Sequence, residues 1–240
     1  MPKLHILYYG FHGRPDFGSL GWGTVSVYQT EGESILIDAG GPSQRNFFAK
    51  RLDAIGVNPK DIGKVYLTHS HWDHIYNIDL FPNATLFLSK EEYEFAKSGK
   101  GLAVHPYFVE QLKKRKLELF DDEDELPCGV KAYMTPGHTP GSASFVLKDD
   151  ELGDIVIAGD ALKNRAELGG NVSQTLNAEM SNASIRRILE LAHRILPGHD
   201  GWIVNENGHY IAKGGNDVVF LAPQGMKING RDTLTLVMDL

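Results

Sequence analysis

Short apolar runs separated by polar turns recur along the chain and predict a protein rich in strands. Runs of about four to eight apolar or alternating residues suit strands that are buried on at least one face. The predicted strands cover residues 4–9, 24–29, 34–37, 64–67, 84–88, 130–134, 142–147 and 155–158. The second and third are expected to form a hairpin around Gly32, and turns and strands after residue 200 end in a predicted strand at 233–238.

Between these runs, the apolar residues change to helical spacing. In residues 43–55, Phe48 and Leu52 fall on one face, with Ser43 as the expected N-cap and Gly56 as the C-terminal stop. Further helices are predicted from Ser89, whose spacing to Glu92 is typical of a helix start, and at residues 109–116 and 184–193. Strands mixed with helices indicate an α/β or α+β protein.

The composition is that of an ordinary globular protein. The 240 residues are 42% hydrophobic and 23% charged, which excludes a disordered chain and allows a large core. We find no low-complexity linker and predict a single domain over residues 1–240, with a short strand-rich extension after about residue 200.

The net charge of −7 argues against a broad nucleic-acid-binding face, which is usually basic. The single cysteine, Cys128, excludes an intrachain disulfide and is interpreted as structural. The apolar run at the N-terminus is too short for a signal peptide or a membrane helix. We therefore expect a cytoplasmic protein with no membrane partner.

The densest chemical signal is the heptapeptide Thr68-His69-Ser70-His71-Trp72-Asp73-His74, which follows a predicted strand. It places four potential metal ligands within six residues, an improbable cluster for a chain with 10 histidines. Neutral imidazole and carboxylate suit zinc, iron or manganese. In an extended turn, His69 and His71 can point to one side while Asp73 and His74 bend away, so one loop could serve two adjacent metals.

Four ligands are too few for two metals, and three later segments can supply more. His138 lies in Pro-Gly-His-Thr-Pro-Gly, Asp160 in Ala-Gly-Asp, and His199 in Pro-Gly-His-Asp. Each follows an apolar run, and loops at the carboxyl ends of neighbouring strands converge where α/β proteins place their sites.

The order of these segments resembles the metallo-β-lactamase superfamily, over roughly residues 1 to 200. Leu36-Ile37-Asp38-Ala39-Gly40 is similar to the family's early strand, in which the aspartate, here Asp38, supports the metal loop. The resemblance implies an α+β fold, a four-layer αβ/βα sandwich. It also implies two divalent metal ions, zinc by analogy, with iron or manganese as alternatives.

The resemblance further implies a role for each ligand. His69, His71 and His138 would hold the first metal. Asp73, His74 and His199 would hold the second, and Asp160 would bridge the two. A hydroxide between the metals would attack the substrate. Asp73 would also act catalytically, by orienting the nucleophile or accepting its proton.

Aspartate at position 160, where many true β-lactamases carry cysteine, favours a general hydrolase. The C-terminal region does not resemble the glutathione-binding helices of glyoxalase II, and no tyrosine follows Asp160 as in acyl-homoserine lactonases. The stretch from His74 to Pro82 is similar to the small branch called metallo-β-lactamase domain-containing protein 1, whose vertebrate members are implicated in RNA cleavage.

These resemblances leave several functions open. The leading interpretation is a hydrolase of an ester, thioester, lactone or phosphodiester, with a small molecule or a nucleic acid as substrate. The alternatives are an RNA-cleaving phosphodiesterase, a mononuclear iron dioxygenase of the persulfide dioxygenase type, and a non-catalytic metal-binding module. The oligomeric state stays open, and a homo-oligomer is compatible with the sequence.

A glycine-rich segment at residues 10–23 is the candidate lid over the metals. We expect its aromatic residues to line the substrate pocket; the alternative is that they pack onto the core. The pocket candidates are Phe11, His12, Phe17, Trp22 and, from a later loop, His105. Lys163 and Arg165, just after Asp160, are candidates for contact with an anionic substrate, or else solvated charges.

Overall fold

The structure is a computed structural model that describes residues 1–14, 16, 18–214 and 218–236. Strands dominate this part of the chain. In chain order they are β1 Lys3–Tyr8, β2 Phe11–Gly13, β3 Leu20–Trp22, β4 Val25–Thr30, β5 Glu33–Ile37, β6 Ile62–Tyr66, β7 Thr85–Ser89, β8 Leu117–Phe120, β9 Glu125–Leu126, β10 Val130–Met134, β11 Ala143–Asp149, β12 Gly153–Gly159, β13 Arg194–Pro197, β14 Trp202–Glu206, β15 His209–Lys213, β16 Val218–Leu221 and β17 Thr233–Leu236. The α-helices are α1 Phe48–Asp53, α2 Trp72–Ile75, α3 Lys90–Ser98, α4 Pro106–Lys114 and α5 Ala178–Leu191.

Two large sheets organise the molecule. The first has the strand order β1-β4-β5-β6-β7-β8, antiparallel from β1 to β5 and parallel from β5 to β8. The second has the order β15-β14-β13-β12-β11-β10-β9, with one parallel pair, β12 and β13. Two small hairpins, β2-β3 and β16-β17, stand apart from them.

The alternation of side chains along the strands builds two kinds of core. Ile35 and Ile37 of β5 belong to a cluster that contains residues of both sheets, whereas Leu36 between them packs with the cluster that includes α1 and α4. Successive side chains of a strand point to opposite faces, so one strand serves both layers. In the second sheet, Ile157 joins the central cluster and Val156 packs with α5. The layers therefore run helix, sheet, sheet, helix, and the predicted αβ/βα sandwich is confirmed.

Several predicted elements have the expected positions. The strand over residues 130–134 has the predicted bounds, and Ser89 caps α3 by accepting a hydrogen bond from the backbone N–H of Glu92 at 3.1 Å. The helix after Asp38 starts differently, because Gly41 is its N-cap instead of Ser43 and its first turns, Pro42–Phe47, form a 3-10 helix. The Gln44 side chain holds this start by accepting from Gly41 N at 2.7 Å. The last helix begins before the predicted residue 184 because Asn177 caps it.

The C-terminal region divides into two parts. β14 and β15 complete the second sheet, so they continue the main fold, while β16 and β17 pair only with each other among the described strands. The end of the strand predicted at residues 233–238 lies outside the described residues. Within the described part of the chain, no helix is long and apolar enough to cross a membrane.

Candidate metal centre

The candidate ligands lie on loops at one edge of the two sheets. β5 and β6 are parallel neighbours in the first sheet, and β12 and β13 are parallel neighbours in the second. Asp38 follows β5, residues 68–74 follow β6, Asp160 follows β12 and His199 follows β13. Because the carboxyl ends of parallel strands meet at the same edge, these loops come together, as the sequence predicted.

The structure brings the seven predicted ligands together, and six of them form two adjacent groups of three. His69, His71 and His138 form one group, which we call the first ligand group. Asp73, His74 and His199 form the other, the second ligand group. Within each group the candidate ligand atoms lie within 4.8 Å of one another.

Asp160 stands between the two groups and offers one carboxylate oxygen to each. Its Oδ2 lies 3.2 Å from Nε2 of His138, in the first group. Its Oδ1 lies 3.1 Å from Nε2 of His74 and 3.2 Å from Nε2 of His199, both in the second. This is the placement that a bridging carboxylate needs.

Asp38 supports the heptapeptide loop with both carboxylate oxygens. Oδ1 accepts a hydrogen bond from Thr68 N at 2.8 Å, and Oδ2 accepts from Thr68 Oγ1 and His74 Nδ1, both at 2.8 Å. The Thr68 hydroxyl therefore uses its proton on Asp38 and can accept one from Nδ1 of His69, 3.1 Å away. Asp38 thus orients one histidine of each ligand group, leaving Nε2 of both rings directed to the centre.

Backbone carbonyls orient two of the remaining rings. Nδ1 of His138 lies 2.9 Å from the carbonyl oxygen of Gln174, and Nδ1 of His199 lies 3.0 Å from that of Trp22. A carbonyl only accepts, so each Nδ1 carries a proton and the Nε2 of each ring is the atom left to bind a metal. No sequence signal identifies Gln174, because its side chain takes no part in this contact.

Buried polar atoms without partners show that the residues present fit metal ions. Nε2 of His69, Nε2 of His74 and Oδ1 of Asp160 are buried and make no hydrogen bond in the described protein. Leaving such atoms unpaired costs free energy, about 1–3 kcal/mol each. Imidazole and carboxylate lone pairs converging on common points are the donor set of zinc and similar divalent ions.

The sequence profile of the metallo-beta-lactamase superfamily matches residues 20–199, three quarters of the chain. The chain belongs to this superfamily. It is therefore a metal-dependent hydrolase, as predicted, and the two groups are its candidate metal centre.

Individual relatives agree with this metallo-beta-lactamase assignment. The chain is 30% identical to a protein named "Probable metallo-hydrolase" from Methanocaldococcus jannaschii, over 72% of this chain and 73% of that one. It is also 30% identical to metallo-beta-lactamase domain-containing protein 1 of Xenopus laevis, over 82% of this chain and 79% of that one. The solved structure of a candidate metallo-beta-lactamase from Thermotoga maritima superposes with a TM-score of 0.72, at 25% identity, covering 85% of this chain and 99% of the other.

The two ligand groups of this metallo-beta-lactamase domain differ in protonation. Burial lowers the pKa of His69 and His138 well below the usual range and that of His71 to about 4. Burial would also lower the pKa of His74 and His199, but the nearby carboxylates, Asp160 first among them, raise both. In the metal-free protein these shifts favour neutral imidazoles in the first group, whereas they favour protonation of His74 and His199 in the second.

This difference predicts that metal binding to the second group depends more steeply on pH. A proton must leave His74 before its Nε2 can bind a metal, so lowering the pH favours the proton and weakens binding, by about tenfold per pH unit for each proton displaced. The first group has no such competition near neutral pH. Stepwise zinc titration by calorimetry at several pH values should show an affinity that falls steeply as the pH is lowered for one zinc equivalent only. An equal pH dependence of affinity for both equivalents would contradict the assignment.

Glycines beside the ligands make room for the centre. A Cβ at Gly198 would lie 2.1 Å from Oδ1 of Asp160, and a Cβ at Gly159, which has a φ of +53°, would lie 2.6 Å from the Thr68 side chain. Only glycine fits such close approaches, and at Gly159 it also suits the positive φ. The glycines next to His199 and Asp160 in the sequence therefore have a steric function.

Replacing Gly198 by alanine should push the Asp160 carboxylate out of place. We expect metal affinity to fall about 10- to 100-fold, the usual effect of disturbing groups around a ligand. Gly63→Ala is the matched control, because a Cβ at Gly63 meets nothing within 4 Å. Metal titration of both variants checks this, and unchanged binding in Gly198→Ala would refute it.

An open depression of about 570 Å³ lies over both ligand groups. Of the predicted pocket residues, His12 lines it, with its ring centroid 5.2 Å from that of His199. Cations also line it, namely Arg14, Lys100 and Lys163, of which only Lys163 was a sequence candidate. Nζ of Lys163 lies 2.9 Å from Oε1 of Glu167.

Other pocket predictions need correction. Phe11 and Trp22 do not line the depression: they are cross-strand partners in the β2-β3 hairpin, so their rings share a face and pack together at 5.1 Å. Trp22 Nε1 also donates to the carbonyl of Tyr9 at 2.9 Å. Their neighbour His12 points the other way because side chains alternate along a strand.

His105 and Arg165 also lie elsewhere. His105 lines a neighbouring depression and caps α4, its Nδ1 accepting from Tyr107 N at 3.2 Å. The guanidinium of Arg165 binds both carboxylate oxygens of Asp200, at 2.8 and 2.6 Å. The remaining candidate, Phe17, lies outside the described residues.

Proposed function

We propose that this chain hydrolyses an ester, thioester, lactone or phosphodiester with two divalent metal ions, most simply zinc. The first ligand group would hold one ion, the second ligand group would hold the other, and Asp160 would bridge them. The observation that carries this proposal is the position of Asp160, whose two oxygens face different groups at 3.1 to 3.2 Å. A centre for a single ion would not need a carboxylate divided in this way.

Two ions held there would lower the pKa of a water molecule and polarise the carbonyl or phosphoryl oxygen of the substrate. The protein supplies the position of both. Asp73 faces the depression with its side chain 14% exposed, whereas the Asp160 side chain is 5% exposed. We assign to Asp73 the orientation of the attacking water and the acceptance of its proton, because it is the more exposed of these two carboxylates.

A phosphodiester is the second, more specific candidate, and the charge of the depression favours it. Among the described residues that line it, the carboxylates are Asp73 and Asp160, and both belong to the metal centre. Arg14 and Lys100 add positive charge at the same depression. An anionic substrate group would be attracted there, which a phosphodiester provides and a simple lactone does not.

A paired assay tests this proposal. Zinc-loaded protein should hydrolyse at least one of a thioester, a lactone and bis-p-nitrophenyl phosphate, and Arg14→Ala should raise KM for the phosphodiester more than for the lactone. Full loading with two ions but no turnover on any substrate would support a non-catalytic metal-binding module. One iron per chain with oxygen uptake on a persulfide would support a dioxygenase, and either result would overturn the proposal.

A further inference from the structure

A buried carboxylate outside the ligand set links the loops of the first ligand group. Glu92, on the first turn of α3, is completely buried. A glutamate at this helix position commonly reaches back to the backbone N–H of the cap residue. The Glu92 carboxylate instead accepts hydrogen bonds from two loops of the metal centre.

The contacts of Glu92 are specific to residues that flank the ligands. Oε1 accepts from the backbone N–H of Ser70 at 2.9 Å and from its hydroxyl at 2.6 Å. Oε2 accepts from the hydroxyl of Thr139 at 2.5 Å. Ser70 lies between His69 and His71, and Thr139 follows His138. One carboxylate therefore holds the residues adjacent to all three imidazoles of the first group.

The start of α3 also holds the loop that contains Thr139 through another hydrogen bond. The hydroxyl of Ser89 donates to the carbonyl of Gly141 at 2.6 Å. A Cβ at Gly141 would lie only 2.0 Å from Glu92 N, so the loop is in direct contact with the start of the helix. The distance between the two loops is thus set by α3.

Burying a carboxylate is costly unless hydrogen bonds compensate for the lost water. A carboxylate can only accept, so the Ser70 and Thr139 hydroxyls must both point at Glu92, and this fixes the two loops relative to each other. The hydrogen bonds found for Glu92 within the described residues do not reach the loops of Asp160 or His199. Its influence should therefore be strongest on the first group.

We propose that Glu92 is a positioning residue of the first ligand group, which sets the spacing of His69 and His71 against His138. This inference rests on the proposed function, in which that group binds a metal ion. Nδ1 of His71 and Nε2 of His138 lie 2.9 Å apart, and a shift of either loop would separate them. The Glu92 carboxylate bonds to Ser70 and Thr139, which are not ligand candidates, and it does not line the depression.

Glu92→Gln tests the proposal, because it keeps the size of the side chain but turns an amide NH₂ towards one of the donors. We expect affinity for the first zinc equivalent to fall about 10- to 100-fold, with the second changed much less. Cobalt-loaded protein should show altered visible bands for the first site. Thr139→Val removes one of the same contacts, so the double variant should weaken the first site by less than the sum of the single effects.

Asp149→Asn is the matched control. Asp149 is also buried and accepts from three backbone N–H groups, including Leu4 N at 2.7 Å, but it lies at the far end of β11. The Asp149→Asn variant should be less stable than the wild type and should keep its affinity for both zinc equivalents. If Glu92→Gln does not fold, Thr139→Val and Ser70→Ala alone should each still weaken the first site selectively.

Three results would be decisive. Selective weakening of the first site supports the positioning role. Equal weakening of both sites, or none beyond that of Asp149→Asn, overturns it while leaving the proposed function intact. A wild-type protein that binds fewer than two ions overturns the proposed function itself, and with it the role of Glu92.

Discussion

Replacing Asp160 by alanine should reduce kcat by on the order of 10³-fold or more, because the metal-dependent stabilisation of the transition state is worth several kcal/mol. The change removes the group that faces both ligand groups, at 3.2 Å from His138 and 3.1 Å from His74. It also removes a carboxylate whose pKa, despite burial, is held well below its usual range by His199, His74 and His138. This carboxylate therefore stays ionised, as a bridging ligand must.

Steady-state kinetics and metal content of Asp160→Ala, beside Asp149→Ala, check this prediction. Asp149 is a buried carboxylate distant from the centre, so its loss should lower stability and leave kcat close to the wild-type value. Turnover of Asp160→Ala within tenfold of the wild type, on the same substrate and with two ions bound, would exclude a bridging role.

Replacing Asp38 by asparagine should have the second-largest effect, because it weakens the hydrogen bonds that hold the heptapeptide loop. Asp38 has a φ of +56°, a conformation that asparagine tolerates better than alanine, so this substitution leaves the backbone undisturbed. In the wild type, the donors on Thr68 and His74 share the two carboxylate oxygens of Asp38. The amide of asparagine would offer them one acceptor oxygen. We expect unfolding free energy to fall by about 1–3 kcal/mol and metal affinity to fall about 10- to 100-fold.

Measuring both stability and metal affinity shows whether Asp38 positions the metal ligands or only stabilises the fold. Denaturant unfolding gives the first quantity and zinc titration the second, with Asp149→Asn measured in parallel. Asp38→Asn should resemble this control in stability and differ from it in metal affinity. If both variants keep full affinity, Asp38 only stabilises the fold.

The candidate ligands could be identified from the sequence because their chemistry and spacing are local. The heptapeptide concentrates four donors, and His138, Asp160 and His199 each stand beside a glycine that the packing requires. The resemblance to a known superfamily then divided six of the seven residues into two groups with Asp160 between them, and the structure brings the same groups together.

The residues that surround the candidate ligands could not be predicted, because their positions depend on contacts between distant segments. The register of the β2-β3 hairpin decides that His12 faces the depression and Phe11 does not. Gln174 acts through its backbone carbonyl, which no residue type reveals. Glu92 has the spacing of a helix start in the sequence, and only the fold shows that its carboxylate links Ser70 and Thr139.

We propose that the chain holds two divalent ions in adjacent sites and that both are needed for hydrolysis. Titration of metal-free protein with zinc, with bound metal and turnover measured at each addition, tests it most directly. We predict two equivalents bound per chain, with full activity only as the second site fills. Saturation at one equivalent, or full activity with a single ion, would contradict it.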